Sequence, residues 1–197
     1  AVNAMSPGKA IPIGDAASRA GRTVPAAVHQ QLSEMKSLGL VVLGASAFPG
    51  MPADKKLDNP AFKRSAELAR RLFSPRHTVF RDVKVLELFD QDLRSDLIVD
   101  RIEEHVTTNP DIRDVVIYYC GPGAFQKDKN RSYSLLLRGP RVGREPMTSL
   151  RLDDFRYMIE QKDHLLDKRC YMVLDCCFAG AAVEAFQSGD PGTLVAN

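Results

Sequence analysis

The stretch Tyr171-Met172-Val173-Leu174-Asp175-Cys176-Cys177-Phe178-Ala179-Gly180 constrains this chain more than any other. Apolar residues run straight into an acid, two adjacent cysteines and a small-residue turn. A continuous apolar run bounded by a turn signal predicts a buried strand of a parallel sheet. Its end then presents Asp175, Cys176 and Cys177 at the carboxyl edge, where open α/β sheets place their sites. The same design occurs earlier, in Val115-Val116-Ile117-Tyr118-Tyr119-Cys120 followed by Gly121-Pro122-Gly123.

The rest of the chain supplies the partners of such strands. Leu38 to Ala45 is a short apolar strand ended by small residues, and Val83 to Phe89 is a second, whose partial alternation places it nearer a sheet edge. Between them, Asn59-Pro60 opens a helix: Asn caps, and Pro suits the first helical position because its missing N–H had no partner there. Phe62, Ala66, Ala69 and Phe73 form one apolar face of that helix, which ends at Ser74-Pro75. Ser95 or Asp96 opens another, with Ile98, Ile102 and Val106 inward and a stop before Asn109-Pro110. Gln126 to Arg131 is a polar turn, and Ser132 to Leu137 a small extra strand. Arg138 to Arg151 is a loop with two prolines and four arginines, either a solvated face or a segment open to cleavage after arginine. Leu152, Phe155 and Ile159 mark a third helix, and Ala181 to Phe186 a helical turn behind the cysteines.

Strands alternating with helices predict an α/β fold of three layers, a mainly parallel sheet with helices on both faces. Residues 1–36 read as an N-terminal arm with a short helix over Val24 to Met35. The domain spans 37–188, and 189–197 has the composition of a linker. A length of 197 residues suits one such domain with an arm.

Composition narrows the function. The net charge is +2 with both signs interspersed, which gives no electrostatic case for nucleic acid. No apolar run approaches the ~18 residues of a membrane span, and no signal-peptide core is recognisable. The cysteines Cys120, Cys170, Cys176 and Cys177 lack C-x-x-C spacing and lie in or beside strands, the pattern of a reduced, cytoplasmic interior. No metal-ligand or phosphate-loop motif occurs, so no metal and no cofactor is expected.

The two strand ends together resemble the caspase-like cysteine peptidases, the group that includes metacaspases, paracaspases and many bacterial homologues. In that family one strand ends Tyr-Tyr-x-Gly-His-Gly and a later one ends Asp-x-Cys-x-Ser-Gly or a variant. The likeness covers roughly Leu38 to Ser188. It implies a caspase-like fold, of which this chain holds the large-subunit portion, with 189–197 leading towards a small-subunit portion. It places Cys177 at the nucleophile position and Gly123 as an oxyanion donor through its N–H. It makes Asp175 a pocket acid that favours Arg or Lys in the substrate, with Asp54 or Asp58 as the second pocket acid. The chain departs from the family at one place: Pro122 stands where the catalytic histidine belongs.

That departure decides the chemistry. A cysteine peptidase needs a thiolate, a base and donors for the developing oxyanion. A pyrrolidine ring in a peptide bond takes no proton, and a positioned base is worth roughly 10²–10⁴-fold in rate. The remaining histidines, His29, His77, His105 and His164, fall in helices or beside them, away from Gly123. The expectation is therefore a pseudo-peptidase whose chemistry is absent or severely impaired. It would serve as regulatory partner or substrate of a caspase-like protease or a small-subunit chain, in a bacterial signalling or defence system. The alternative is an active cysteine endopeptidase cleaving after Arg or Lys with a displaced base. Two plainer readings stand beside these: Cys176 and Cys177 as buried small hydrophobes, and Asp175 as the cap of the following turn. A flavodoxin-like small-molecule binder fits the strand pattern but not the two strand-end motifs.

Overall fold

The computed structural model describes residues 37–52, 57–78, 80–125, 132–139, 148–177 and 179. The expected arm over 1–36, the turn over 126–131, the helical turn over 181–186 and the linker lie outside them, as does Asp54. The described chain is α/β. Four parallel strands, β1 (Ser37–Gly44), β2 (Val83–Phe89), β3 (Ile112–Cys120) and β7 (Arg169–Asp175), form a sheet in the order β2-β1-β3-β7. The helices are α1 (Pro60–Leu72), α2 (Ser95–Thr108), α3 (Leu152–Glu160) and the short α4 (Asp163–Leu166).

Both faces of the central strands β1 and β3 are covered. On one face, Ala66 of α1 packs against Leu38, Leu40 and Val42 of β1 and Val116 and Cys120 of β3. Ala66 and Ala69 are the buried residues of α1, and their small side chains let the helix axis approach the sheet closely. On the other face, Val41, Leu43, Val115, Ile117 and Tyr119 meet Ile98, Val99, Ile102 and Val106 of α2, Phe155 of α3 and Leu165 of α4. β1 and most of β3 are buried on both sides, which is why they read as uninterrupted apolar runs.

Local chemistry sets the helix ends. Asn59 caps α1 with its side-chain oxygen accepting from the Ala61 N–H at 2.9 Å, and Pro60 occupies the first turn. α2 begins at Ser95 and stops at Asn109, whose N–H donates to Val106 O. β2 is an edge strand with alternating exposure, as its sequence pattern predicts.

Three expectations need correction. The apolar run of β7 is not buried on both faces: it forms the other edge, and its residues alternate between exposed and half-buried. Tyr171 and Val173 are 48% and 39% exposed because α1 covers β1 and β3 and leaves the same face of β7 open. Second, Gly123 is not only a turn residue. It begins β4 (Gly123–Phe125), which pairs antiparallel with β5 (Tyr133–Leu136), itself paired with β6 (Ser149–Arg151). The expected extra strand is thus the centre of a separate three-stranded sheet. Third, the Arg138–Arg151 segment is not all loop, since its last three residues are β6 and residues 140–147 lie outside the description. Arg138 and Arg151 are half-buried, not solvated: Arg138 approaches Asp90 at 3.6 Å and Arg151 donates to Ser132 Oγ at 2.9 Å.

Replacing Asn59 by Ala removes the one side-chain cap of α1 while leaving Pro60 and the buried face intact. Urea unfolding should register a loss of about 1 kcal/mol, with the slope of the transition unchanged.

Candidate active site

Because β3 and β7 are neighbours in parallel register, Cys120 lies opposite Asp175 and the two strand-end motifs meet. Beyond that pair the Gly121 N–H donates to Asp175 O at 3.3 Å. The strand ends are held by two tyrosines of β3 that point to opposite faces. Tyr118 donates its hydroxyl to Asp175 Oδ2 at 2.9 Å, and burial together with that carboxylate pushes its pKa up. Tyr119, fully buried, sets its hydroxyl 2.8 Å from Pro122 O and 2.9 Å from Leu136 O.

The position of Tyr119 accounts for how proline is accommodated at 122. Leu136 N donates to Pro122 O at 3.1 Å, so residues 122 and 136 form a hydrogen-bonded pair extending the β4–β5 ladder. The reciprocal bond needs an N–H at 122, which proline lacks. The Tyr119 hydroxyl serves the Leu136 carbonyl instead. The same alternation makes Gly123 opposite Leu135 a non-hydrogen-bonded pair, so the Gly123 N–H turns away from β5.

Gly123 also lies close against the cysteine turn. A Cβ there would sit 1.9 Å from Tyr133 Oη and 3.0 Å from the Cys177 carbonyl oxygen, so only glycine fits. A similar demand falls on Gly44 at the end of β1, where φ is +127° and a Cβ would meet Cys120 O at 1.9 Å. Tyr133 donates to the Cys177 carbonyl, and its hydroxyl lies 3.2 Å from Cys176 Sγ. Its ring meets Phe125 edge-on across the β4–β5 pair at 5.4 Å. Tyr133 thus anchors both cysteines from the second sheet, a role that nothing in its local sequence signals.

The cysteines differ sharply. Cys177 is exposed, whereas Cys176 is half-buried and packs against the α2–α3 side of the core. The reading of both as buried hydrophobes therefore holds in part for Cys176 and not for Cys177. Burial pushes the Cys176 thiol up, against the opposing pull of the Tyr133 hydrogen bond. Cys120 is fully buried and pushed up to about 12, by burial first and then by Asp175; burial raises Cys170 to about 11.

The other acids at this edge are engaged. Asp175 serves as acceptor for Tyr118, and Asp58 accepts the Phe48 N–H at 2.7 Å, fastening the loop between β1 and α1. Asp90, left-handed at φ 57°, accepts from Ser46 N at 2.7 Å and Ser46 Oγ at 2.6 Å.

The described histidines lie elsewhere. In a parallel βαβ unit the helix returns the chain to the amino edge, so residues after α1, at the end of α2 and just before β7 all sit there. His77, His105 and His164 occupy those three places. A seven-residue strand spans about 20 Å, which separates them from Cys177. His105 contacts Lys84 O at 3.2 Å, and burial holds its pKa below the usual imidazole range. A cavity of about 250 Å³ lined by Val106, Thr107, Pro110, His164 and Lys168 also belongs to that amino edge. His29 lies outside the described residues. Among the described residues, no group of three His, Cys, Asp or Glu could hold a metal ion, and no helix is long and apolar enough to cross a membrane.

The chain matches no protein-family model and no curated protein.

Two measurements check this geometry. Tyr119→Phe strips the Leu136 carbonyl of the donor that stands in for residue 122, and a loss of about 1–3 kcal/mol on chemical unfolding is expected. Alkylation of the folded protein should label Cys177 first and the half-buried Cys176 and Cys170 more slowly, with Cys120 reacting only on unfolding. Peptide mass mapping reads that order, and early labelling of Cys120 would contradict it.

Proposed function

We propose that this chain is a caspase-like pseudo-peptidase: a cysteine-peptidase scaffold that keeps the nucleophile position and lacks the base. On this reading it acts in the cytoplasm as a regulatory partner or substrate of a caspase-like protease, in a bacterial signalling or defence system. The support is the approach of Gly123 to the Cys177 carbonyl, with Pro122 immediately before the glycine. The Cys177 turn lies against Gly123, whose N–H faces away from β5, and acyl transfer to cysteine needs a thiol beside such a donor.

The resemblance supplies the roles of these residues, and the chemistry supplies the deficit. An imidazole at 122 would follow Cys120 and Gly121 at the carboxyl end of β3, across the sheet edge from Cys177. Proline there neither accepts a proton nor polarises the thiol. The described histidines are about a strand length away, too far for the ~3 Å contact of a general base. Asp175, exposed beside Tyr118, has the charge for a basic substrate side chain.

The test is gain of function. Pro122→His restores a base, and the backbone tolerates it because a new N–H at 122 would face the Leu136 carbonyl. On fluorogenic peptides ending in Arg or Lys, the parent should show no turnover. The Pro122→His protein should show turnover that vanishes when Cys177→Ala is added. Turnover by the parent that is lost in Cys177→Ala alone would overturn the proposal in favour of an active endopeptidase with a displaced base.

A further inference from the structure

The cavity at the amino edge of the sheet holds a buried cation that the peptidase reading does not use. Its volume is about 250 Å³, and Val106, Thr107, Pro110, His164 and Lys168 line it. It lies between the end of α2 and the turn that leads from α4 into β7. Lys168 is the residue out of place there. Its side chain is only 9% exposed, although lysine is almost never buried unless its charge is paired. The ammonium carries three donors. Among the described residues it uses one, to Asp167 Oδ2 at 3.2 Å, and that side chain belongs to the preceding residue and is itself 59% exposed.

A lysine beside a helix end can cap the last carbonyls, but α2 has no such need. Thr108 Oγ1 donates to Glu104 O at 2.7 Å, Asn109 Nδ2 to His105 O at 2.8 Å and the Asn109 N–H to Val106 O at 3.2 Å. Thr107 turns its hydroxyl back on Glu103 O and Glu104 O, both at 3.0 Å. The helix caps itself. Two donors of a buried cation are left over, which costs stability unless an acceptor meets them. The rest of the lining describes that acceptor. His164, exposed and four residues before Lys168, brings a second nitrogen-bearing side chain to the same cavity, and Val106 and Pro110 supply an apolar wall. A few convergent polar groups against apolar surface are the make-up of a small-molecule site. At ~30 Å³ for each water-sized group, the space holds about eight of them. That is too little for a nucleotide and enough for a short acid.

We propose that this cavity binds a short-chain aliphatic carboxylate. The carboxylate accepts from the Lys168 ammonium and the His164 ring, and the hydrocarbon lies on Val106 and Pro110. The ligand's charge completes the pairing that Asp167 begins, and charge-assisted hydrogen bonds of this kind are the strong ones. The cavity lies at the opposite edge of the sheet from Cys177, so the proposal does not depend on the peptidase reading.

Titration of the full chain with sodium butyrate, followed by amide NMR, provides the test. Saturable shifts are expected at Thr107, His164 and Lys168 and not at Cys177, with a dissociation constant in the millimolar range or tighter. Lys168→Met keeps the stem and removes the donors, and should weaken binding by roughly tenfold or more. His164→Glu, at an exposed position, sets a like charge at the rim and should weaken it too. The spectra themselves report that each variant is folded. Butyramide, of the same shape but uncharged, should bind far more weakly than butyrate. Shifts that sodium chloride reproduces overturn the proposal. So does butyrate binding that neither substitution weakens, or butyramide binding as tight as that of butyrate. Inorganic phosphate binding more tightly than butyrate overturns the assignment of a carboxylate.

Discussion

The pairing of β3 with β7 is the contact on which the rest of the site depends. Parallel strands in register put Cys120 opposite Asp175, and everything beyond those residues is forced into one small region. Gly121-Pro122-Gly123 and Cys176-Cys177 become neighbours although they are far apart in sequence. Had the strands slipped by one residue, every side chain would have changed face, and Tyr118 would not reach Asp175. Packing prevents the slip: Val115, Ile117 and Tyr119 on one side and Val116 and Cys120 on the other are all buried.

The small antiparallel sheet is the second constraint. It takes the chain from Gly123 through Tyr133 and back, and Tyr133 closes it over the cysteine turn by donating to the Cys177 carbonyl. The proline at 122 is tolerated because the neighbouring tyrosine supplies the missing donor to Leu136. Proline at this position therefore leaves the neighbouring backbone hydrogen bonds satisfied.

The sequence by itself determined the elements and most of their limits. Asn59-Pro60 marks a helix start because capping and the missing proline N–H are local effects, and α1 begins there. Asn109-Pro110 marks the stop of α2 for the same kind of reason. The apolar faces of α1 and α2, the edge character of β2 and the placing of Asp175 and Cys177 at a strand's carboxyl end were all legible in periodicity and composition.

Tertiary structure alone decided the rest. An apolar run such as Tyr171 to Leu174 says that a strand forms, but not whether a helix covers each face; α1 is too narrow to cover β7, so half the run is exposed. Gly123 to Phe125 is too short, and too glycine-dependent, to carry a strand pattern, and it becomes one only because β5 offers it a ladder. Tyr133 has an ordinary strand sequence around it, and its contact with both cysteines follows from how two sheets meet. Partners of this kind are set by which distant surfaces fit together, and a local pattern of residues holds no record of that.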